Sequence, residues 1–168
     1  MSLDLYVISK EPVKHSGTGV FVRENGKTKE LSQDECKTLF PDYNCKEQEY
    51  ENNEFWHGNI THNLGKMAEK VSIKIANGPE YSLYQLLWRP EETGLLGNNQ
   101  ELTFNYAEHI FRALEILKEN PDYYKKYNPE NGWGNYDVLV SFTTDFVNTI
   151  GHLPVVVDNC NYTIEASR

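Results

Sequence analysis

A chain of 168 residues, 39% hydrophobic and 12% aromatic, has the length of one domain spanning 1–168, able to bury roughly 70% of its unfolded surface. Its net charge of −9, from 16 basic and 25 acidic residues, argues against direct binding to a nucleic-acid backbone, which depends on Lys and Arg neutralising phosphates. The start Met1-Ser2-Leu3-Asp4 lacks the regions of a signal peptide and no run approaches the ~18 apolar residues of a membrane span, so a cytoplasmic protein with no membrane partner is expected, its odd cysteine set (Cys36, Cys45, Cys160) read as free thiols.

Leu3–Ile8 alternates and is rich in strand formers, predicting a first strand. Thr18–Arg23 and Lys27–Leu31 predict two more, joined by Asn25-Gly26, a pair that supplies the positive φ angles of a tight hairpin. Ser32 with Glu35 three residues on is a capping box opening a short helix that Pro41 closes. The stretch 42–54 reads as an acidic connector. Asn59 is the expected N-cap of a central helix whose stripe is Ile60, Leu64, Met67 and Val71, with His62 on the opposite side.

Asn77-Gly78-Pro79 is a turn, and 81–88 a short buried segment, helix or strand, stopped by Arg89-Pro90. Asn98 with Glu101 is expected to cap the longest helix, 102–119, which ends at Asn120-Pro121; 122–127 adds a helical turn. A last helix over 136–150 finishes with Gly151 at the left-handed C′ position and Pro154 as a stop. Tyr162–Ala166 alternates and predicts a terminal strand pairing with the N-terminal sheet. The fold class is α+β: a small sheet from an N-terminal hairpin and a C-terminal strand, packed with three to five helices.

Three constellations could carry chemistry. The first is Glu54–Ala68, where Trp56, His57, Asn59, Thr61, His62, Asn63 and Lys66 crowd one helix start. His57 and His62 are five apart, not the four that aligns two metal ligands on one helical face, and no metal or cofactor is expected. The free N–H groups of a helix start attract anions instead. The second is Trp56, Trp88 and Trp133 with Arg89, either core residues or aromatic walls for a base. The third is Asn131-Gly132-Trp133-Gly134-Asn135-Tyr136, which lacks both the Walker spacing and the dinucleotide fingerprint, and serves either a ligand or a capping turn.

Asn59-Ile60-Thr61-His62-Asn63-Leu64-Gly65-Lys66-Met67-Ala68, Leu87-Trp88-Arg89-Pro90 and Asn131-Gly132-Trp133-Gly134-x-Tyr136, in this order, resemble a family of small phage and prophage proteins, mostly uncharacterised. The resemblance spans about Glu49 to Ile150 plus Ser167-Arg168, and His57 departs from it, standing where members carry a small residue. It implies that Asn59, Thr61, His62, Asn63, Trp88, Arg89, Asn131, Trp133 and Tyr136 share one site, to which the helix-start reading adds Lys66. It also implies an anti-defence role, sequestering a phosphate-bearing or nucleotide-like host immune signal in the host cytoplasm. Two alternatives stay open: an enzyme on such a nucleotide with His62 as general acid or base, and an acidic inhibitor or nucleic-acid mimic that meets a host protein. A homo-oligomer is equally compatible.

Overall fold

A computed structural model describes residues 2–153 and 161–168. It is an α+β fold built on a five-stranded antiparallel sheet. Strand β1 (Ser2–Gly17) is its spine, pairing with β4 (Gln48–Thr61) on one side and β7 (Tyr162–Ser167) on the other. Beyond β4 lie β3 (Lys27–Glu30) and β2 (Phe21–Glu24), giving the order β2-β3-β4-β1-β7, while β5 (Ser72–Lys74) and β6 (Glu80–Ser82) form a separate two-stranded sheet. The hairpin turn is as expected, with Asn25 and Gly26 both at positive φ. The terminal strand also takes its expected place, with Asp4 opposite Ser167 and Ile8 opposite Thr163.

The two faces of β1 differ sharply. Leu3, Leu5 and Val7 are fully buried against the helices, while Asp4, Tyr6 and Ile8 are half-buried on the other, outer face. Alternation at period two separates them. Past Ile8 the register shifts, and Glu11-Pro12 sits in the gap, where a residue with no N–H to donate costs the ladder nothing. Asn53 fills the opposite side by donating to the carbonyls of Ser9 and Lys10 at 2.9 and 3.2 Å. Pairing resumes at Val13 opposite Asn52 and runs out to Gly17 opposite Gln48 as a two-stranded arm.

Among the described residues there are six α-helices, the longest being α4 (Phe104–Glu119) and α6 (Tyr136–Gly151). They pack their apolar stripes together with α3 (Leu83–Trp88) on the core face of the sheet. The short α2 (Gly65–Glu69) follows a 3₁₀ turn at His62–Leu64, and α5 (Pro121–Lys125) follows α4. A small satellite core of Leu31, Cys36 and Cys45, with Val20 and Val22 against it, holds α1 (Gln33–Leu39) to the hairpin. The capping box of Ser32 and Glu35 is formed at the start of α1.

Several expectations need correction. The stretch 42–54 is not all connector: from Gln48 onward it is strand, because pairing with β1 outweighs the poor strand propensity of Glu and Asn. Asn59 is not a helix cap but lies inside β4; Thr61 caps the 3₁₀ turn, its hydroxyl accepting from the Asn63 N–H. Thr103, not Asn98, caps α4, since Asn98–Gln100 forms a separate 3₁₀ turn. Gly151 closes α6 inside the helix and His152 is its C-cap, with a right-handed backbone. Cys36 and Cys45 are not free thiols but a disulfide, their Cα atoms 6.2 Å apart, within bonding range. An odd cysteine count therefore gave no warrant for a reduced compartment. Cys160 and Pro154 lie outside the described residues. No described helix is long and apolar enough to cross a membrane.

Candidate functional site

The residues expected to form one site are distributed over both sides of the sheet. His62 packs edge-on against Tyr84 and Trp88, with ring centroids 6.4 and 6.2 Å away. Trp88 is fully buried and stacks on Tyr84 at 5.3 Å, so no surface of its indole is open to a ligand. The His62 Nδ1 and Trp88 Nε1 atoms are both buried without a hydrogen-bond partner. Arg89 donates to Glu92 at 2.9 Å, and its bonds to the Tyr84 side chain and to Glu92 hold its guanidinium more firmly protonated than usual. Asn63 and Lys66 are exposed on the surface.

The turn before α6 accounts for three more. The Asn131 side chain accepts from the Trp133 N–H at 3.0 Å, closing an Asx turn. Gly134, at φ +84°, presses against Thr61 and Leu64, and a Cβ there would lie 2.8 Å from the Thr61 methyl. Trp133, between the two glycines, is left 52% exposed. Tyr136 is buried and its hydroxyl donates to the Leu117 carbonyl at 2.9 Å. Burial first, and Asp137 second, raise the pKa of that phenol. Thr61 thus does meet the 131–136 turn, and His62 does meet Trp88, but these are two packing contacts rather than one cavity.

Asn59 leads elsewhere. Its side chain points to the outer face, where Nδ2 donates to Asp4 at 2.7 Å and Oδ1 accepts from the Thr28 hydroxyl at 3.0 Å. His57 joins the same Asp4 oxygen at 2.9 Å and stacks on Tyr6, with centroids 4.4 Å apart. Burial, then the Asp4 and Glu54 carboxylates, raise the pKa of the Tyr6 phenol, so both acids are felt on this face. Here lies a cleft of about 510 Å³, in the usual range for small-ligand sites.

The origin of the cleft is a parting of strands. β3 meets β4 in a single ladder pair, Lys27 with Ile60. Lys27 also anchors the hairpin to the helical layer through Asp145 at 2.6 Å. Beyond that pair the hairpin walls one side of the gap with Phe21, Thr28 and Glu30, while β4 and β1 wall the other. From β4 come Tyr50, Glu54, Phe55, Trp56, His57 and Asn59; from β1 come Asp4 and His15, the latter stacked on Tyr50 at 5.0 Å. Phe21 and Tyr50 keep 59% and 48% of their surface exposed, so aromatic faces remain open to a ligand.

Asn59 is the one expected site residue in this lining. Trp56 and His57 belong to the Glu54–Ala68 constellation; Asp4, His15, Phe21, Thr28, Glu30 and Tyr50 lie outside it and are brought in by strand register. The available signal was a charge at an alternate position of an apolar strand, Asp4 between Leu3 and Leu5. Among the described residues no three His, Cys, Asp or Glu side chains are grouped to hold a metal. Comparison of the chain with protein-family models, with curated proteins and with solved structures gives no match.

Proposed function

We propose that this is a ligand-binding protein that sequesters, rather than transforms, a small molecule held in the outer-face cleft. The observation that supports it is the pre-assembled lining: open faces of Phe21 and Tyr50 beside a hydrogen-bonded floor of Asp4, His57, Asn59 and Thr28. Stacking surface plus fixed polar groups is the ordinary composition of a small-molecule site. Asp4 and His57 could pass a proton, but the lining holds no Ser, Cys or Lys as a nucleophile, and the Thr28 hydroxyl already donates to Asn59. Chemistry needs more than an oriented base.

The nucleotide-like ligand expected from sequence has a partial counterpart here. Its stacking and hydrogen-bonding portion suits the aromatic walls and Asn59; its phosphate has no Lys or Arg in the lining to receive it. An anti-defence role, as the resemblance to phage proteins implies, is the setting in which sequestration would matter.

The test is to incubate the protein with cyclic nucleotides, ADP-ribose derivatives, nucleosides and amines, then follow each compound by mass spectrometry. Expected is stoichiometric retention of at least one compound, recovered unchanged, and loss of retention in Tyr50→Ala with the melting temperature held. Conversion of any compound with turnover would overturn sequestration. Retention undiminished in Tyr50→Ala would move the site away from the cleft.

A further inference from the structure

The acceptors left over in the cleft share one sign. Asp4 uses Oδ1 for both His57 and Asn59, and Oδ2 has no partner among the described residues. Glu30 uses Oε1 for the Gly19 N–H, leaving Oε2. The Glu54 carboxylate makes no hydrogen bond or ion pair within the described chain, although Glu54 is half-buried. The Nε2 of His15, which lines the same space, is buried with no partner among the described residues. No Lys or Arg lines the cleft to balance three carboxylates.

Elsewhere some acids are paired, although others, such as Glu49, Glu51 and Glu108, make no ion pair among the described residues. Glu91 pairs with Arg168 at 2.7 Å, Glu92 with Arg89 at 2.9 Å, Glu101 with Lys10 at 2.9 Å. Unpaired carboxylates are common on this acidic chain; what sets Glu30 and Glu54 apart is that they line a concave, aromatic-walled space.

Resting on the reading that the cleft is the binding site, we infer that its ligand is an organic cation, an ammonium or guanidinium group on a short apolar chain. The positive group would supply a counter-charge to Glu54 and Glu30 and meet the second oxygen of Asp4, whose first oxygen pairs with His57, forming charge-assisted hydrogen bonds that are shorter and stronger than neutral ones. The open faces of Phe21 and Tyr50 add attraction to a cation over an aromatic ring. Their apolar surface would cover the chain that carries it. An anion in the same place would meet three carboxylates and no Lys or Arg among the lining residues, with only the polar donors of residues such as Asn59 and Tyr50 to offset them. The cleft therefore selects by sign before it selects by shape.

Chemical-shift mapping on the full chain tests this, with agmatine and spermidine as cationic probes, adenosine as neutral and adenosine monophosphate as anionic. Expected is saturable movement of the Phe21, Glu54 and His57 amide signals with a cationic probe, weakened about tenfold in Glu54→Gln and steeply by added salt. A capped Gly-Arg-Gly peptide separates the sources of the group: tighter binding than agmatine assigns the cation to a protein side chain, weaker binding to a free small molecule, and either keeps the inference. Movement of those signals by adenosine or its monophosphate but by no cation overturns the charge inference while retaining the cleft as the site. No movement there with any probe overturns both.

Discussion

Pro90 and Pro121 each deprive a helical carbonyl of the N–H four residues on, and Tyr106 and Tyr136 replace it. The Tyr106 hydroxyl donates to Leu86 at 2.6 Å, the Tyr136 hydroxyl to Leu117 at 2.9 Å. Across the sheet, Glu54 and one oxygen each of Asp4 and Glu30 face a cleft with no such partner. On the helical side these polar groups close the fold, and the atoms left over, His62 Nδ1 and Trp88 Nε1, are sealed in aromatic packing; the outer face leaves carboxylate oxygens uncommitted in an open cleft. Arg168 belongs with the first group, donating to the Trp88 carbonyl at 2.7 Å and so capping α3. Density of Trp, Asn and His in a sequence thus marks backbone satisfaction as readily as ligand chemistry. The uncommitted groups are the better guide to a site.

Replacing residues on the two sides should therefore separate stability from binding. Trp88→Ala is expected to have the largest effect, destabilising by about 3–5 kcal/mol as a fully buried Trp stacked on Tyr84 is lost. Urea denaturation measures it. A loss below ~1 kcal/mol would mean that the indole is not a core residue, and would restore it as a candidate wall for a ligand. Tyr106→Phe and Tyr136→Phe come next, each costing about 1–3 kcal/mol because a buried carbonyl is left without a donor that Pro cannot supply. Burial drives the Tyr106 phenol far above its ordinary pKa, so it remains a donor throughout the working range. Neither substitution should alter retention of a ligand in the cleft; if Tyr136→Phe abolishes retention while stability holds, the comparison between the two sides fails.

What was legible in the sequence was local. Asn25-Gly26, the Ser32–Glu35 box and the 3.6-residue stripes of α4 and α6 each depend on residues a few positions apart, and each formed. The Ser82–Gln85 box at the start of α3 carries the same signature and was equally readable. Thr61 and Asn59 are both good capping residues, so composition did not distinguish them; the extension of β4 to Thr61, opposite Ser2, did. Gln48–Glu54 was unreadable as strand because neither of its faces is apolar there: its partner residues on β1, such as Lys14 and Ser16, are polar too. The cleft was the least legible part. Asp4 meets Asn59 through one register and His15 meets Tyr50 through another, the two separated by two irregularities in the β1–β4 ladder. Long-range register is specified by the whole sheet, not by any window of sequence.

The smallest expected effect lies in the lobe that walls the cleft. Hydrogen bonding to Lys29 first, then to the backbone of Ser32, lowers the Glu35 carboxyl from its ordinary 4.5 to about 2. A carboxyl whose folded pKa is depressed contributes stability above its unfolded value and loses it as pH falls through the folded one. The window is thus pH 4.5 down to about 2. The Ser32 N–H, which donates to Glu35 at 2.9 Å, reports it directly. Its amide shift should titrate with a midpoint near 2 and move upward in high salt, where the exposed Lys29 pair is screened. Glu35→Gln should flatten that titration and leave the β1 amides unchanged. Because the Cys36–Cys45 disulfide holds the middle of α1 to the satellite core, the expected loss is local fraying rather than unfolding of the hairpin. A midpoint at the ordinary carboxylate value would show that the capping box is not holding the charge, and that the wall of the cleft beside Glu30 is less fixed than the sheet behind it.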